Sequence, residues 1–176
     1  MIYFYNSWQE KFDEINKDGF AIEWIKELPS RELIEEKTLK FKNKGGSIVI
    51  IDDYALQLKT SSAEIFTDLT HHCNLATFLM SQNLYPDNPA YRTISLNCTY
   101  NVIFKTTRDF RQFQRFAQQL FPTNSQFLIS VYENETKKQF SYLLIDHCHS
   151  SPPFIQIRSD VIPGISGPMK IFRRKK

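Results

Sequence analysis

The residues in this sequence most suited to chemistry are two adjacent carboxylates, Asp52 and Asp53, which directly follow the apolar run IVII at residues 48–51. Such a run predicts a buried β-strand, and ligands of open α/β sheets bind beyond the carboxyl ends of the strands. There, one carboxylate can hold Mg²⁺ and a second can orient or deprotonate an attacking water. The alternative is a strand that ends on an Asp capping the next turn, and this stretch alone leaves both interpretations open.

Polar amides follow the next apolar stretch, at Ser81, Gln82 and Asn83. If that stretch is a strand beside the first one, Gln82 and Asn83 lie at the same sheet edge as the two acids. An amide there can hydrogen-bond a γ-phosphate or an attacking water. Without the acids, the Gln-Asn pair indicates only a turn.

Three cations form a further candidate group: Arg92 in YRTISLN, and Lys105 and Arg108 in FKTTRDF. A guanidinium that reaches the phosphate of a neighbouring subunit stabilises the charge of a phosphoryl-transfer transition state. For each cation the alternative is an ordinary surface side chain on a loop.

Two short clusters carry residue types that bind zinc, HHC at residues 71–73 and HCH at residues 147–149. Neither has the spacing of a zinc motif, so the two clusters would have to meet in space to make one site. The alternative is solvent-facing His beside small buried Cys. Nucleophilic catalysis has no support, because the sequence contains no G-x-S-x-G motif.

The elements that must position these side chains alternate between strands and helices. Apolar runs predict strands at 1–5, 47–51, 74–80, 100–104, 140–145 and 154–157, and a short strand or a turn at 20–25. Helical periodicity predicts helices at 8–16, 31–43, 62–72, 109–121 and 125–132. A proline-containing loop at 85–91 leads through residues 93–98 to the strand at 100–104. This alternation predicts a three-layer α/β sandwich with a mostly parallel sheet and a C-terminal antiparallel edge.

Length and composition predict one folded domain, at residues 1–164, in a chain of 176 residues with 41% hydrophobic content and a net charge of +3. The basic segment 165–176 is interpreted as a frayed, solubilising tail, with a phosphate-binding or targeting patch as the alternative. Three scattered cysteines, no signal-peptide pattern and no apolar run of membrane-spanning length favour a reduced, intracellular, soluble protein without a membrane partner.

The motif that would complete a nucleotide site does not occur in this sequence. No G-x-x-x-x-G-K-[ST] is present, and the one Gly-Gly pair, Gly45-Gly46, precedes the strand that ends on the two acids. Such a loop and its Lys hold the β- and γ-phosphates. A pair of Asp residues can hold magnesium but cannot replace that cradle.

Five stretches, in their order along the chain, carry a resemblance: SIVIIDDYAL, LTHHCNLATFLMSQNLYP, RTISLNCTYNVIFKTTRD, LFPTNSQFL and FSYLLIDH. Together they resemble the FtsK/HerA-type DNA-packaging ATPases of eukaryotic double-stranded DNA viruses and virus-like elements, with the adintovirus and Polinton group nearest. The resemblance covers about residues 2–164. The first stretch matches the generic Walker B pattern, whereas the ordered combination of all five is more specific.

The resemblance implies a P-loop ATPase fold of the RecA-like type, with Mg²⁺ and ATP as cofactors. It implies double-stranded DNA, a ring of identical subunits and a viral capsid as partners, in the nucleus or cytoplasm of a host cell or in a viral factory. By position, Asp52 would be the magnesium-linked, cofactor-binding acid and Asp53 the catalytic acid/base. Gln82, with Asn83, would be the sensor, and Arg92 the arginine that acts on a neighbouring subunit.

The chain departs from that family at its start. In the family a strand, the P-loop and a helix precede the segment that matches IYFYNSWQEKFDEI, and here that first strand and the P-loop are missing. We expect one of three explanations: a truncated reading frame, a P-loop segment encoded in another exon or chain, or a domesticated remnant of such an ATPase. The chain alone is then expected to lack tight ATP binding, and whether it is an enzyme stays open.

Two other functions remain as alternatives. The first is a non-catalytic DNA-binding or ring-assembly protein derived from such an ATPase, which would use Lys105, Arg108, Arg111 and Arg115 with the basic tail. The second is a metal-dependent phosphodiesterase or nuclease, in which Asp146 would supply a further acid.

Overall fold

The structure is a computed structural model that describes residues 1–106, 108–162 and 167–173, and of His71 the backbone alone. The chain divides into two compact units, Met1–Asn97 and Cys98–Lys176. The sequence does not predict this division. The predicted domain end at residue 164 lies outside the described residues.

The first unit contains a four-stranded sheet in which every pairing is parallel, which confirms the α/β prediction without being specific to P-loop ATPases. Its strands are β1 (Ile2–Tyr5), β2 (Glu23–Ile25), β3 (Ser47–Asp52) and β4 (Leu75–Met80). Their order across the sheet is β2-β1-β3-β4, so that β3 and β4 are neighbours.

The helices of this unit differ from the predicted ones in detail. They are α1 (Glu10–Lys17), α2 (Arg31–Thr38), α3 (Thr70–His72) and α4 (Pro89–Asn97). The predicted helix 31–43 ends earlier, in a 3₁₀ turn at Leu39–Phe41. The predicted helix 62–72 is a succession of a 3₁₀ turn, a π turn and α3, together spanning residues 60–72.

Helix α4 occupies a stretch that the sequence predicts to be loop, and that prediction is wrong. Pro89 is the first residue of the helix, where the missing N–H of proline costs nothing. The side chain of Asn88 accepts a hydrogen bond from the backbone N–H of Ala90 at 2.8 Å, which satisfies one of the free donors of the first turn. The proline therefore starts a helix here and does not interrupt one.

The two faces of the parallel sheet are covered differently. On one face, Phe4, Val49 and Ile51 have no exposed surface. On the other face, Phe12 of α1 packs against the rings of Tyr3 and Trp24, with centroid distances of 5.2 and 4.7 Å. Helix α1 therefore covers β1 and β2 on the second face.

A glycine fixes how β3 begins. Gly46 has a φ of +83°, and a Cβ at this position would lie 2.2 Å from the carbonyl oxygen of Asn74. The next residue, Ser47, donates its N–H to that same oxygen at 3.2 Å. This close approach starts the pairing of β3 with β4, in which Ser47 lies opposite Leu75.

The second unit contains an antiparallel sheet of order β5-β6-β7-β8. Its strands are β5 (Tyr100–Phe104), β6 (Tyr142–Asp146), β7 (Ile157–Ser159) and β8 (Lys170–Phe172), with helices α5 (Phe110–Leu120) and α6 (Ser125–Glu135). The helices pack through Phe113 and Tyr132, whose ring centroids are 3.8 Å apart. The Tyr132 hydroxyl donates to the carbonyl oxygen of Phe104 at 3.1 Å, which ties α6 to β5.

The predicted antiparallel pairing of two late strands is found between β6 and β7, but the predicted strand 154–157 overlaps β7 only at Ile157 and is mostly a 3₁₀ turn. The pair belongs to a separate sheet and not to an edge of the parallel one. Strand β5 shows the physical reason. Ile103 is buried whereas Val102 and Phe104 are exposed, which is the alternation of a strand covered on one face. In β3, by contrast, Val49 and Ile51 are fully buried and the strand has a parallel neighbour on each side.

The interpretation of 165–176 as a frayed tail is wrong where the structure describes it. Lys170–Phe172 is strand β8, paired with β7. The ammonium group of Lys170 lies 2.9 Å from the carboxylate of Glu135 and 3.2 Å from that of Asp160. Residues 163–166 and 174–176 lie outside the described part of the chain.

Two further observations concern the length and polarity of the helices and the state of the cysteines. Within the described ranges, no helix is both long enough and apolar enough to cross a lipid bilayer. Cys73, Cys98 and Cys148 are all described, and none of them forms a disulfide.

The aromatic cluster of α1 provides a test of the first unit. Phe12 is 3% exposed, so Phe12→Ala removes a buried ring and should destabilise this unit by about 3–5 kcal/mol. Both tryptophans of the chain, Trp8 and Trp24, contact Phe12, so tryptophan fluorescence during urea unfolding reports on this unit. Phe20, which is 60% exposed, provides the control, and an equal loss for Phe20→Ala would contradict the proposed packing.

Candidate active site at the carboxyl ends of β3 and β4

The parallel pairing of β3 and β4 brings the predicted polar residues to one edge of the sheet. Asp52, the last residue of β3, lies opposite Met80, the last residue of β4. Asp53 therefore lies just beyond the end of β3, and Ser81 and Gln82 lie just beyond the end of β4 at the same edge of the sheet. The amide nitrogen of Gln82 donates a hydrogen bond to the Oδ1 atom of Asp53 at 3.2 Å. The prediction that Gln82 lies at the same sheet edge as the two acids is confirmed.

The backbone of Asp53 explains how its carboxylate turns toward Gln82. Its φ is +61°, in the left-handed region that Asp adopts more readily than most residues. The next residue, Tyr54, is buried and donates its hydroxyl to the carbonyl oxygen of Tyr5 at 2.9 Å. This hydrogen bond anchors the turn after β3 to the end of β1, while Asp53 itself stays exposed.

Asp52 has a more enclosed environment than Asp53. The Tyr3 hydroxyl donates to its Oδ2 atom at 3.0 Å and lies 3.8 Å from the sulfur of Met80. Partial burial raises the pKa of the Asp52 carboxyl, the Tyr3 hydrogen bond lowers it by less, and the charge of Asp53 raises it further. Burial and the neighbouring carboxylate also raise the pKa of the Tyr3 phenol well above its usual range.

These residues surround a shallow depression of about 180 Å³. Its lining residues are Gln9, Asp52, Asp53, Met80, Ser81 and Gln82. In the described ranges, no Lys, Arg or His lies within ion-pair distance of either acid, so their charge is not compensated by the protein. Two carboxylates and a carboxamide are oxygen donors of the kind that Mg²⁺ prefers, and the donor set fits that ion.

Two of the predicted site residues are not brought into the depression. Asn83 forms a turn in which its N–H donates to the Ser81 hydroxyl oxygen at 3.3 Å, and that hydroxyl donates back to its carbonyl oxygen at 2.7 Å. Arg92 is exposed on α4 and is not among the lining residues. The other two cations, Lys105 and Arg108, belong to the second unit.

Asp146, the acid that the nuclease alternative would require, lies in the second unit, where an ion pair and two hydrogen bonds occupy its carboxylate. Its side chain is 1% exposed and pairs with the Arg158 guanidinium at 2.6 Å. It also accepts hydrogen bonds from the Ser151 hydroxyl and from the backbone N–H of Cys148, both at 2.9 Å. With its oxygens engaged in this way, Asp146 ties the loop after β6 to β7.

The zinc hypothesis finds no support among the side chains that the structure describes, since they include no group of three or more His, Cys, Asp and Glu that could hold a metal ion. His147 shares a hydrogen bond of 2.7 Å with Asn101 Oδ1, and burial lowers its pKa. The side chain of His71 lies outside the description.

Sequence reasoning missed three residues at this site: Tyr3, which contacts Asp52, and Gln9 and Met80, which line the depression. Met80 could have been found, because it ends the strand that precedes Gln82. For Tyr3 the required signal is the register of β1 against β3, in which Tyr5 lies opposite Asp52. Apolar patterning within one strand does not carry that information.

No protein-family model, no curated protein and no solved structure matches this chain. The resemblance to DNA-packaging ATPases therefore stays a prediction from the sequence. What the depression can do has to follow from the chemistry of the residues that line it.

The raised pKa of Asp52 predicts a pH-dependent effect on stability. Above its folded-state pKa the buried charge costs stability, and below the usual carboxyl pKa of about 3.9 the cost is absent. Asp52→Asn should therefore raise the thermal midpoint of the first unit at neutral pH, by about 2 °C after solvent screening. This gain should vanish as the pH falls toward about 4.

Thermal unfolding followed by tryptophan fluorescence at several pH values measures this difference in thermal midpoint. Asp18→Asn is the control, because it removes the same charge from an exposed position at the end of α1. A gain that is equal at neutral and acidic pH, or equal in the control, would show that the Asp52 charge is not the cause.

Proposed function

We propose that this chain forms part of an ATP-hydrolysing module of the DNA-packaging type. The observation that carries the proposal is the hydrogen bond from Gln82 to Asp53, across the ends of two adjacent parallel strands. It joins a carboxylate suited to act as a base with an amide suited to position a water. Asp52 beside them completes a set that can serve a magnesium nucleotide.

The residues have distinct roles in this proposal. Asp52 holds Mg²⁺, which when bound would neutralise charge on the β- and γ-phosphate oxygens. The hydrogen bond from Tyr3 orients the Asp52 carboxylate. Asp53 accepts the proton of the attacking water. The Gln82 amide nitrogen points to Asp53, which leaves its carbonyl oxygen to accept a hydrogen bond from that water.

The proposal includes a second segment that supplies the phosphate-binding loop. The sequence contains no G-x-x-x-x-G-K-[ST], and the depression has no basic residue among its lining residues. Backbone N–H groups and a Lys are needed to hold the β- and γ-phosphates. We extend the proposal to a ring of identical subunits that acts on double-stranded DNA in a host cell to fill a viral capsid, with Arg92 reaching a neighbouring subunit.

Reconstitution tests this function. We expect the chain, mixed with a fragment that carries a strand, a P-loop and a helix, to release phosphate from ATP in a Mg²⁺-dependent reaction. Asp53→Asn should then lower the rate by about 10² or more, because it removes the base. Gln82→Ala should lower it as well, through loss of water positioning.

The matched control is Asp18→Asn, which makes the same chemical change at an exposed acid directly after α1. Hydrolysis that is equal in the Asp53→Asn variant and the control would exclude the assigned role of Asp53. Absence of any Mg²⁺-dependent hydrolysis after mixing would exclude the proposed function for this pair of chains.

A second candidate function is DNA binding without catalysis, and one observation favours it. Four cations of the second unit are exposed and form no ion pair with any described residue: Lys105, Arg108, Arg111 and Arg115. Arg111 and Arg115 are four residues apart in α5, so they lie on the same side of that helix. Unpaired guanidinium groups in such a row suit contact with phosphates.

The salt dependence of DNA binding tests this candidate. Each phosphate contact contributes about 0.9 to the slope of log affinity against log salt, so the double variant Arg111→Gln/Arg115→Gln should reduce the slope by about 1.8. Lys11→Gln/Lys17→Gln on α1 removes the same charge from exposed positions and serves as the control. Fluorescence anisotropy with a duplex at several salt concentrations gives both slopes. Binding that does not respond to salt would refute the phosphate contacts.

A further inference from the structure

Charge is distributed unequally between the two units of the chain. The second unit, Cys98–Lys176, has 12 Lys and Arg against 5 Asp and Glu, whereas the first unit has 10 against 14. Their formal net charges are therefore +7 and −4, which together give the +3 of the whole chain. A unit that is this basic attracts polyanions, of which nucleic acid is one.

One face of the antiparallel sheet in this basic unit is exposed over β5 and the beginning of β6. Tyr100, Val102 and Phe104 alternate along β5 and are 51%, 49% and 56% exposed. In the pairing with β6, Val102 lies opposite Leu144 and Phe104 lies opposite Tyr142, so these five side chains share one face of the sheet. We call this surface the aromatic face.

The helices of the unit leave the aromatic face uncovered. Ile103, Leu143 and Ile145 point to the opposite face and are 8%, 0% and 0% exposed. Helix α6 contacts β6, and it covers that buried face because the aromatic face is exposed. Single exposed apolar side chains are ordinary, whereas neighbouring ones that form a continuous surface mark a binding site.

Lysines lie at the end of the aromatic face where β5 ends and β6 begins. Lys105 directly follows β5, and Lys137 and Lys138 precede β6. Lys105 and Lys137 line one depression of about 420 Å³ together with Glu133, so the two ammonium groups lie near each other. All three lysines are exposed and form no ion pair with a described residue. Uncompensated positive charge therefore adjoins exposed aromatic rings.

Rings beside cations suit a strand of unpaired nucleotides. Bases stack on the aromatic side chains, and the phosphates of the same strand contact the cations. Tyr100 and Phe104 are four residues apart on one strand, which separates them by roughly 13 Å and gives each ring its own base. The interior bases of a duplex stack on one another and present no free face to such rings.

The side chains between the rings favour DNA over RNA. Val102 and Leu144 are hydrocarbon and offer no partner to a ribose 2′-hydroxyl. A hydroxyl covered by these side chains would lose its hydrogen bonds to water without replacement, which is unfavourable. A deoxyribose has no such group to desolvate.

We propose that the aromatic face binds single-stranded DNA, with bases stacked on Tyr100 and Phe104 and phosphates held by Lys105 and Lys137. This site lies in the second unit and does not depend on ATP hydrolysis at the acids of β3 and β4. It differs from the arginine row of α5, which contacts phosphates alone. A second copy of the chain fits the aromatic face less well, because it would bring together two units that each carry a net charge of +7.

Loss of the rings tests the stacking. The probe is a fluorescent oligodeoxyuridylate of about 12 nucleotides, with anisotropy measured on the whole chain. Tyr100→Ala/Phe104→Ala should weaken binding by about a hundredfold, since each stacked base contributes about tenfold. Tyr100→Phe/Phe104→Tyr is the matched control, because it keeps both rings and should bind like the unaltered chain. Both side chains are already about half exposed, so the fold is retained, and circular dichroism checks this.

Salt dependence separates the stacking from the charge. Each phosphate contact with a single strand contributes about 0.7 to the slope of log affinity against log salt. Lys105→Gln/Lys137→Gln should therefore reduce the slope by about 1.4. The alanine double variant should lower the affinity at every salt concentration and leave the slope unchanged. Lys11→Gln/Lys17→Gln, at exposed positions of α1, removes the same charge and serves as the control.

Four results would overturn this assignment. The first is an affinity that does not change when the two rings are lost, and the second is an equal loss in the variant that keeps them. The third is equal or tighter binding of an oligouridylate of the same length, which differs from the probe only in its 2′-hydroxyls and would assign the face to RNA. The fourth is a dimer of the free chain that loss of the rings dissociates, since it would assign the face to a second copy.

A duplex distinguishes this site from phosphate contacts by α5. Its affinity should not respond to the alanine double variant, because its bases are not free to stack on the rings. An equal loss for duplex and single strand would contradict base stacking. Magnesium-dependent ATP hydrolysis tests the proposed function separately, since none of the residues altered in these variants lies at the acids of β3 and β4.

Discussion

The parallel pairing of β3 with β4 is the constraint on which the candidate site depends. Parallel strands end at the same edge, so the residues after β3 and after β4 meet although about 30 residues separate them along the chain. The contact of Gly46 with Asn74 fixes where this pairing begins, and six residues later Asp52 lies opposite Met80. A shift by one residue would turn Asp52 to the opposite face and separate it from Tyr3.

The same arrangement has an energetic cost that a ligand can offset. Asp52 is partly buried beside a second carboxylate, and both effects raise its pKa. The Tyr3 hydrogen bond compensates only in part, and no described cation does so. Groups that are destabilised in this way are typical of binding sites, although structural networks also contain them. Asp146 is the contrasting case in this chain, because Arg158 and two further donors satisfy it.

The sequence predicted the parts of the structure that local patterns encode. The run before Asp52 indicated a buried parallel strand, and the polar residues after the next strand indicated that Gln82 lies at the same sheet edge as the two acids. Features that depend on register or on long-range pairing were missed. Tyr3 reaches Asp52 only because β1 pairs with β3, and the separate antiparallel sheet arises from the pairing of β5 with β6. Pro89 was interpreted as a loop residue, because a proline pattern does not distinguish the start of a helix from its end.

The uncompensated acids and the exposed apolar residues of β3 and β4 have a common geometric origin. Both lie on the β4 side of the parallel sheet, where the described residues provide neither a further strand nor a helix on the Tyr3 face. Ile48, Phe78 and Met80 are 40%, 54% and 47% exposed on the face to which Asp52 belongs. Covering this apolar surface would bury Asp52 further and raise the energetic cost of its charge. A partner that covers the face must therefore also bring a compensating cation to Asp52 and Asp53.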